Sequence, residues 1–401
     1  MNPLRRTPRG FTLIEIMVAA TVSIIIIMVT VGVSLQLQRR GMLEERIMET
    51  QNAGRATRDL MAFGVQSAGA AVGSTSLTGG TSAPGVAAVR YAVWPRTQAT
   101  FSTDTTFVAP PTRYAGVRSD ALEVWETDPG LMIPLDGCGS VASPWTSGST
   151  ALCTRTQAPA NLLPAGMASR TVAVVFPGSS TIRPWGCLGV VTAINPANPP
   201  GTPSPSVTLT LGLPGDPTPA TGNCAAGAAW TADGMYLIPV RARTYRVNWP
   251  DGGPAFEMDD DGVAGANPFR EMTRDIEQLR VRMGVQPPNS LDGGIRFFPE
   301  TSPVRPALDQ CTQATCASHI SWAWDAGTTP PNQGVGSAAD ELMRHVRVVE
   351  VSITARSQRM DDQETTDGGV DEYGNIQDGF KRRHTILRLA PRNFGYVGTD
   401  D

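Results

Sequence analysis

The chain has 401 residues, of which 17% are charged, and its net charge at neutral pH is -4. This balance provides no global field that would collect nucleic acid, so a nucleic-acid partner is not expected. Lys381 is the only lysine, which leaves almost no choice for Schiff-base or phosphate-lysine chemistry. The 41 glycines and 33 prolines favour many turns, short strands and long loops.

The first segment is basic and then strongly apolar. Residues 1–10 are basic, and Glu15 is the only ionisable residue in the run that follows, from Phe11 to Leu35. A helix over this run would be about 38 Å long, more than the roughly 30 Å hydrocarbon core of a bilayer. We therefore predict a membrane-spanning helix over residues 11–37. The N-terminus is expected in the cytoplasm, and the rest of the chain beyond the helix is expected to be exported.

Glu15 separates three interpretations of this segment, because a carboxylate in the membrane costs about 2.5–3.5 kcal/mol on insertion scales. A plain membrane anchor explains the length of the run but gives Glu15 no purpose. A secretory signal peptide cleaved near Ala19–Ala20 is at odds with the apolar residues beyond that point. Cleavage after Gly10 would give Phe11 a free α-amino group that can pair with Glu15, within one helix or between neighbouring helices.

The sequence GFTLIE, from Gly10 to Glu15, follows a short basic leader and opens the apolar run. It resembles the class III signal of type IV pilins and related pseudopilins. The resemblance implies that a prepilin peptidase removes residues 1–10, that Phe11 becomes N-methylated, and that Glu15 is needed for assembly. Major pilins usually carry a proline near the middle of this run, where the chain has Gly32. That glycine either weakens the helix mildly or serves a close helix contact.

The helix is predicted to continue as an amphipathic segment over residues 38–69. Apolar and small residues recur there at steps of three and four, with the charged residues largely elsewhere. This stripe consists of Leu43, Ile47, Thr50, Gly54, Thr57, Met61 and Val65. We expect the stripe to pack on a globular head; a coiled-coil seam is the weaker alternative because the stripe contains Gly and Thr. Small residues over 67–80 are expected to end the helix.

Residues 70–401 are predicted to form an exported, mostly antiparallel β head, so the fold class is α+β. Runs of β-branched and apolar residues alternate with long loops rich in Gly and Pro. The runs are 121–126, 170–176, 188–194, 207–213, 235–249, 278–285, 345–356 and 384–390. The apolar phase shifts between Val348 and Val349, which predicts a β-bulge. An inserted subdomain within residues 70–244 is a further expectation.

Four segments of the head carry a second resemblance. Residues 245–258, 270–285, 344–359 and 382–393 occur in the order seen in PilW-type minor pilins. The resemblance implies a minor pilin that primes type IV pilus assembly and sits in the tip complex, contributing to adhesion or twitching motility. It also implies an inner-membrane protein with a periplasmic head that later reaches the pilus tip at the cell surface.

The partners implied by the two resemblances are the prepilin peptidase, other minor pilins, the major pilin, a PilY-type tip adhesin and inner-membrane lipid. One alternative within the same superfamily is a minor pseudopilin of a type II secretion system. An alternative of another class is a membrane-anchored periplasmic binding protein or enzyme. A tip module that binds DNA or a host surface is a third alternative, with DNA disfavoured by the charge.

Six cysteines lie in the head, and none of them forms a CxxC pair. They are Cys138, Cys153, Cys187, Cys224, Cys311 and Cys316. An even number beyond an export segment favours disulfides, although six cysteines allow 15 connectivities. Sequential pairing is the favoured pattern because each pair would close a local loop. Free buried thiols are the alternative.

The densest acidic cluster runs from Glu257 through Asp259 to Asp261. Carboxylates at alternate positions could collect oxygens for a calcium ion, but the twelfth position of an EF-hand loop would be Pro268 instead of Glu. A solvated β-turn is therefore the preferred interpretation, with calcium as the weaker one. A second acidic stretch over residues 359–379 is predicted to be a long hairpin loop.

Motifs for catalysis are missing from the sequence. It contains no GxSxG, HExxH or P-loop, and the three histidines lie near no nucleophile motif. We therefore predict a structural and assembly protein, with no enzyme activity and no cofactor. Trp322 and Trp324 are spaced to share one face of a strand, which favours a core pair over an exposed contact patch.

Overall fold

A computed structural model of the chain describes most of the helix and the β head. The described residues are 11–79, 89–98, 106–139, 141–146, 151–178, 184–196, 205–212, 224, 230–260, 269–286, 294–311, 315–316, 337–357 and 378–391. Several predicted features lie outside them, namely Gly10, Asp261, Trp322, Trp324 and nearly all of the acidic stretch 359–379.

The long helix α1 (Leu13–Ser67) is one continuous element of 55 residues. It ends two residues before the predicted limit of residue 69, at a turn that only glycine fits well. Gly69 has a φ of +71°, and a Cβ there would lie 2.9 Å from the carbonyl oxygen of Gly73. A left-handed glycine just past the last turn is a common way to end a helix.

The two halves of α1 differ in what surrounds them. From Phe11 to Leu37 every side chain is exposed, whereas a stripe in the second half is buried against the head. The buried residues are Thr50, Gly54, Thr57, Met61, Gly64 and Val65. Five of the seven predicted stripe positions are thus confirmed. Leu43 is only half-buried and Ile47 is 45% exposed, because the head buries side chains of α1 only from Thr50 onwards.

Small residues on α1 allow the helix to approach the head closely. A Cβ at Gly64 would lie 3.2 Å from the hydroxyl oxygen of Tyr245, a tight contact. A Cβ at Gly54 would lie 3.8 Å from the Cβ of Ala355 and 3.9 Å from Oγ1 of Thr385. The predicted contact between stripe and head is therefore confirmed, and the partner strands come from widely separated parts of the sequence.

The head contains eighteen described strands and one further α-helix, α2 (Ser337–Arg344). The strands of its first half are β1 (Leu77–Thr78), β2 (Val89–Arg90), β3 (Val93–Arg96), β4 (Ala121–Thr127), β5 (Ile133–Pro134), β6 (Ala151–Cys153), β7 (Arg170–Phe176), β8 (Trp185–Asn195) and β9 (Ser206–Leu211). Those of the second half are β10 (Tyr236–Asn248), β11 (Ala255–Asp259), β12 (Arg270–Thr273), β13 (Ile276–Val285), β14 (Arg296–Phe298), β15 (Glu300–Thr301), β16 (Val304–Arg305), β17 (Val346–Arg356) and β18 (Arg382–Leu389).

The predicted fold class is confirmed, and each of the eight predicted runs contains a strand. Strand pairing among the described residues is antiparallel except between β1 and β8. The chain is therefore an α+β protein with a long apolar helix in front of a large, mostly antiparallel β head.

Strand β10 connects two parts of the head. Its second half lies in sheet A, whose order is β3-β4-β10-β11-β12. Its first half pairs with β5 on one side and with β7 on the other. One strand of 13 residues thus belongs to two structures, which fixes their relative position.

The strands around the first half of β10 close into a six-stranded barrel with the order β10-β7-β8-β9-β6-β5. The ring closes where Leu135 bridges Thr154, with hydrogen bonds from the Asp136 amide to the Cys153 carbonyl and from the Arg155 amide to the Pro134 carbonyl. The barrel has its own hydrophobic core, around Val172, Val174 and Leu237 among others. Its strands begin at Ile133 and, except for the end of β10, lie within the segment 70–244, in which an inserted subdomain is expected.

Sheet B has the order β14-β13-β17-β18 and carries the predicted bulge. Gly284 pairs with Val348 and Val285 with Val346, so Arg347 is the extra residue. The observed bulge, at Arg347, therefore lies just before the position predicted for it, between Val348 and Val349. It brings Val346 and Val349 onto the buried side although they are three residues apart.

The main core lies between the two sheets and the second half of α1. It contains Met61 from the helix, Tyr245 from sheet A and Val351 from sheet B, all of them fully buried. The helix α1, sheet A and sheet B are therefore held together by this one core. The short helix α2 adds Leu342 and Met343 to the same cluster.

Asp120 joins sheet A to sheet B just before β4 begins. Its amide donates to the Leu279 carbonyl at 2.7 Å, and its Oδ2 accepts from the Val281 amide at 3.0 Å. Burial raises the pKa of Asp120 from 3.8 to about 6. Because the folded state holds the proton more tightly than the unfolded state does, stability from this group is full below pH 3.8 and is lost as the pH rises through about 6.

We predict that Met61→Ala lowers the free energy of unfolding of the head by about 2–5 kcal/mol, because it leaves a cavity at the junction of α1 with both sheets. Chemical unfolding of the detergent-solubilised chain, followed by tryptophan fluorescence, measures the change. Met48→Ala is the matched control, since Met48 is 62% exposed on the same helix. Equal effects of the two substitutions would contradict the described contact.

We predict that Asp120→Asn flattens the pH dependence of stability between pH 4 and pH 7.5. The wild-type chain should lose up to about 3 kcal/mol of this group's contribution as the pH rises, and the variant should not. The same unfolding experiment at several pH values tests this. Asp136→Asn, at an exposed position, should leave the profile of the wild type unchanged. An unchanged profile for Asp120→Asn would count against a raised pKa.

Candidate functional site on the exposed N-terminal helix

The start of α1 places Glu15 in a capping box with Thr12. The Thr12 amide and the Thr12 hydroxyl both donate to Oε2 of Glu15 at 2.9 Å, and the Glu15 amide donates to Oγ1 of Thr12 at 3.4 Å. Such a box satisfies two of the backbone donors that every helix leaves free at its N-terminus. Both contacts to the carboxylate end on Oε2, which leaves Oε1 for a partner outside this pair.

The sequence contains the signal for this box, a Thr followed three residues later by a Glu before an apolar run. Thr12 nevertheless goes unnoticed when Glu15 is considered only as an anomaly in the apolar segment. The structure therefore adds Thr12 to the predicted residues Phe11 and Glu15. Phe11 itself is 84% exposed at the end of the helix.

The first half of α1 is long and apolar enough to cross a membrane and is the only described helix of that kind. None of its apolar window is buried by the head. Its hydroxyl groups are satisfied within the helix: Ser23 donates to the Ala19 carbonyl at 2.8 Å, and Thr30 donates to the Ile26 carbonyl at 2.7 Å. The segment thus offers lipid or another helix an apolar surface whose one formal charge is Glu15.

Glu15 lies on one face of the helix together with apolar and small side chains. These are Ile14, Val18, Ala19, Val22 and Ser23. Small residues at positions four apart allow another helix to approach closely, which is the main source of helix association in lipid. A cation brought to this face would find the carboxylate in surroundings of low dielectric constant, where an ion pair is much stronger than in water.

Gly32 does not interrupt the helix. Nothing lies within 4 Å of the position that a Cβ would take there, and α1 stays helical through it. Room for a close neighbour is therefore present at Gly32.

The preferred interpretation of the acidic cluster as a solvated turn is wrong for Glu257 and Asp259, and Asp261 lies outside the described residues. Glu257 and Asp259 lie in strand β11 and are 8% and 7% exposed. Oε2 of Glu257 accepts from Nε of Arg246 at 2.9 Å, and its Oε1 accepts from Nδ2 of Asn248 at 3.0 Å. A calcium ion would have to displace both partners. In the part of the chain that the structure describes, no group of three or more His, Cys, Asp or Glu side chains could hold a metal ion.

A second buried ionic cluster ties β18 to β13. The guanidinium of Arg382 donates to both oxygens of Glu277, at 2.5 and 2.9 Å, and to both oxygens of Asp378, at 2.7 and 2.8 Å. Burial alone would raise the pKa of Asp378, but hydrogen bonds from Arg382 and Tyr114 lower it below its ordinary value. The carboxylates in this cluster are held by hydrogen bonds from Arg382, which suits structure better than acid–base catalysis.

Three disulfides join the cysteines in the predicted sequential pattern. Cys138 pairs with Cys153, Cys187 with Cys224, and Cys311 with Cys316, each with Cα atoms 5.4–5.5 Å apart. The first two lie in the barrel and the third lies beside the main core. Disulfides of this kind belong to an oxidising compartment, in agreement with an exported head.

Comparison with known proteins gives one match, at the N-terminus. Residues 5–31 match the family described as the prokaryotic N-terminal methylation motif. This motif indicates a type IV pilin-like or pseudopilin protein and implies processing by a prepilin peptidase. The match covers residues just before Phe11 and the exposed start of α1, and it does not reach the head. No curated protein and no solved structure matches the chain.

We predict that Glu257→Ala lowers the free energy of unfolding by about 3–5 kcal/mol, because it removes a carboxylate that accepts from the buried guanidinium of Arg246 at 2.9 Å. Arg246 is 2% exposed. Glu271→Ala is the control: it removes an exposed ion pair with Arg274 and should cost less than about 1 kcal/mol. Chemical unfolding of the two variants makes the comparison, and similar costs would contradict the buried pair.

Proposed function

We propose that the chain is a minor pilin of the PilW type, which primes assembly of a type IV pilus and stays in the tip complex. The observation that carries the proposal is the start of α1. A methylation motif lies on a helix whose first half the head leaves bare. Glu15 is the one formal charge between Phe11 and Leu37, and it is held by Thr12 at the start of the helix. The role is structural: the helix joins a bundle, and the head sets the partners.

In this proposal each residue of the motif has a physical task. A prepilin peptidase of the inner membrane cuts after Gly10, and Phe11 becomes the N-methylated first residue. Glu15 then pairs with the N-terminal amine of a neighbouring subunit and sets the stagger between the two helices. The apolar side chains provide the packing area between helices. The ion pair fixes how far one helix is shifted along the next, because a buried charge is unfavourable wherever it lacks its partner.

The size of the head supports a low copy number. A compact domain of the length of residues 70–401 has a radius of gyration of about 20 Å. Packed helices lie about 8–10 Å apart. Heads this wide would crowd one another if every subunit of a helical bundle carried one, whereas a tip has room for them.

The four segments with PilW resemblance support the same proposal. They form β10–β13, β17 and β18, and α1 packs against β17 and β18. The resemblance therefore falls on the strands of the two sheets, including those against which α1 packs, and the barrel is an addition to these sheets. The proposed partners are the prepilin peptidase, inner-membrane lipid, other minor pilins, the major pilin and a PilY-type tip adhesin, with contributions to adhesion and twitching motility.

We predict that Glu15→Gln abolishes pilus priming. Glutamine keeps the capping box, so the helix start is preserved while the charge is lost. In a deletion strain complemented with the variant, surface pili recovered by shearing should fall at least about tenfold, because a neutral amide cannot pair with the N-terminal amine. The level of the protein in the inner membrane should stay unchanged.

Glu44→Ala is the matched control, since Glu44 is exposed on the same helix beyond the membrane segment. This variant should give as many surface pili as the wild type. Normal piliation with Glu15→Gln would contradict the proposal. If pili form normally in the deletion strain while protein secretion fails, the chain is a secretion pseudopilin instead.

A further inference from the structure

The barrel differs from the rest of the chain in its charge. Residues 131–236 contain three arginines, three aspartates and no lysine, glutamate or histidine, whereas the whole chain has 33 basic and 37 acidic residues. About a quarter of the chain thus carries about a twelfth of the charge, and its net charge is zero. This part of the head therefore has few side chains with which to form ion pairs to a partner.

One end of the barrel carries a continuous row of aromatic rings. Phe176 ends β7, and Trp185, directly opposite, begins β8; their rings are stacked with centroids 5.7 Å apart. The row continues from Trp185 to Trp230 at 5.6 Å and from Trp230 to Trp145 at 4.7 Å. Four rings from four separate segments therefore meet at the same end.

The row has an exposed part and a buried part. Trp145 and Trp230 are 7% and 4% exposed and support the other two rings from the core side. Phe176 and Trp185 are only partly buried, although they pack against the same cluster. Rings that served only as a lid on the core would not need this second, partly exposed layer.

Two disulfides hold the segments that bear the tryptophans. Trp145 lies inside the loop closed by Cys138–Cys153, and the bond Cys187–Cys224 lies close in sequence to Trp185 and Trp230. The Ala232 amide also donates to the Ala142 carbonyl at 3.0 Å and joins the two tryptophan segments. The rings are thus fixed before any partner arrives, which reduces the entropy lost on binding.

We propose that this end of the barrel binds a neutral polysaccharide, with Trp185 and Phe176 as the stacking surface. The C–H face of a pyranose ring is apolar and flat, and an aromatic ring covers it well. The hydroxyl groups at the edge of the sugar need uncharged donors and acceptors. Thr146 and Thr231 directly follow Trp145 and Trp230 in the sequence, and they are half-buried and exposed, respectively. Nucleic acids and charged peptides are instead recognised largely through ion pairs, for which residues 131–236 offer few charged side chains.

An array of neutral and anionic glycans, probed with the full-length chain in detergent micelles, tests this inference. We expect the chain to bind neutral glycans and Trp185→Ala to weaken that binding at least about tenfold. Trp185→Phe keeps a flat ring and should stay within about threefold of the wild type. Phe63→Ala is the control for a lost exposed ring, because Phe63 is 67% exposed on α1 and not on the barrel.

Binding to anionic glycans alone, no binding to any glycan, or unchanged binding by Trp185→Ala would each overturn the inference. A loss of binding by Phe63→Ala equal to that of Trp185→Ala would do the same, since the barrel would then have no special part. None of these results would touch the proposed role in assembly, which depends on α1.

Discussion

The first half of α1 has no cover within its own chain, and the rest of the molecule follows from that constraint. Side chains from Phe11 to Leu37 are all exposed, with a single carboxylate among them. Water cannot be their surroundings, since a continuous apolar surface of this size associates or inserts. We propose that lipid covers it before assembly and that other helices cover it afterwards. Glu15 is tolerable in both states because Thr12 holds it in the first and a neighbouring amine is proposed to hold it in the second.

A bare helix of this kind has to be carried by a firmly attached head, and the structure shows how. Gly54 and Gly64 bring the second half of α1 close to both sheets, and Met61 fills the core where they meet. Asp120 and the Arg382 cluster then fasten sheet A, sheet B and the last strand to one another. The helix is therefore attached to both sheets, while the barrel is built on the other half of β10.

Much of this could be predicted from the sequence, and the failures have physical causes. The strands are found because runs such as residues 170–176 are β-branched and bounded by turns. Barrel closure is missed because β5 and β6 are two and three residues long, too short to show a pattern. Glu257 is misjudged because the residues around it have the composition of a turn. Its partner Arg246 lies on the neighbouring strand, far enough away in the sequence that no local pattern reveals the pair. Thr12 is missed because a capping box looks like any other polar pair until the helix is seen to begin there.

The processed N-terminus is the most direct measure of the central claim that α1 is an assembly helix and not a plain anchor. Mass spectrometry of the N-terminal peptide, from membranes and from sheared surface filaments, reads it out. A peptide that begins with N-methylated Phe11 and appears in the sheared fraction is the result we expect. A chain that still begins at Met1, or that begins beyond Ala20, would contradict the claim and leave Glu15 in need of another explanation.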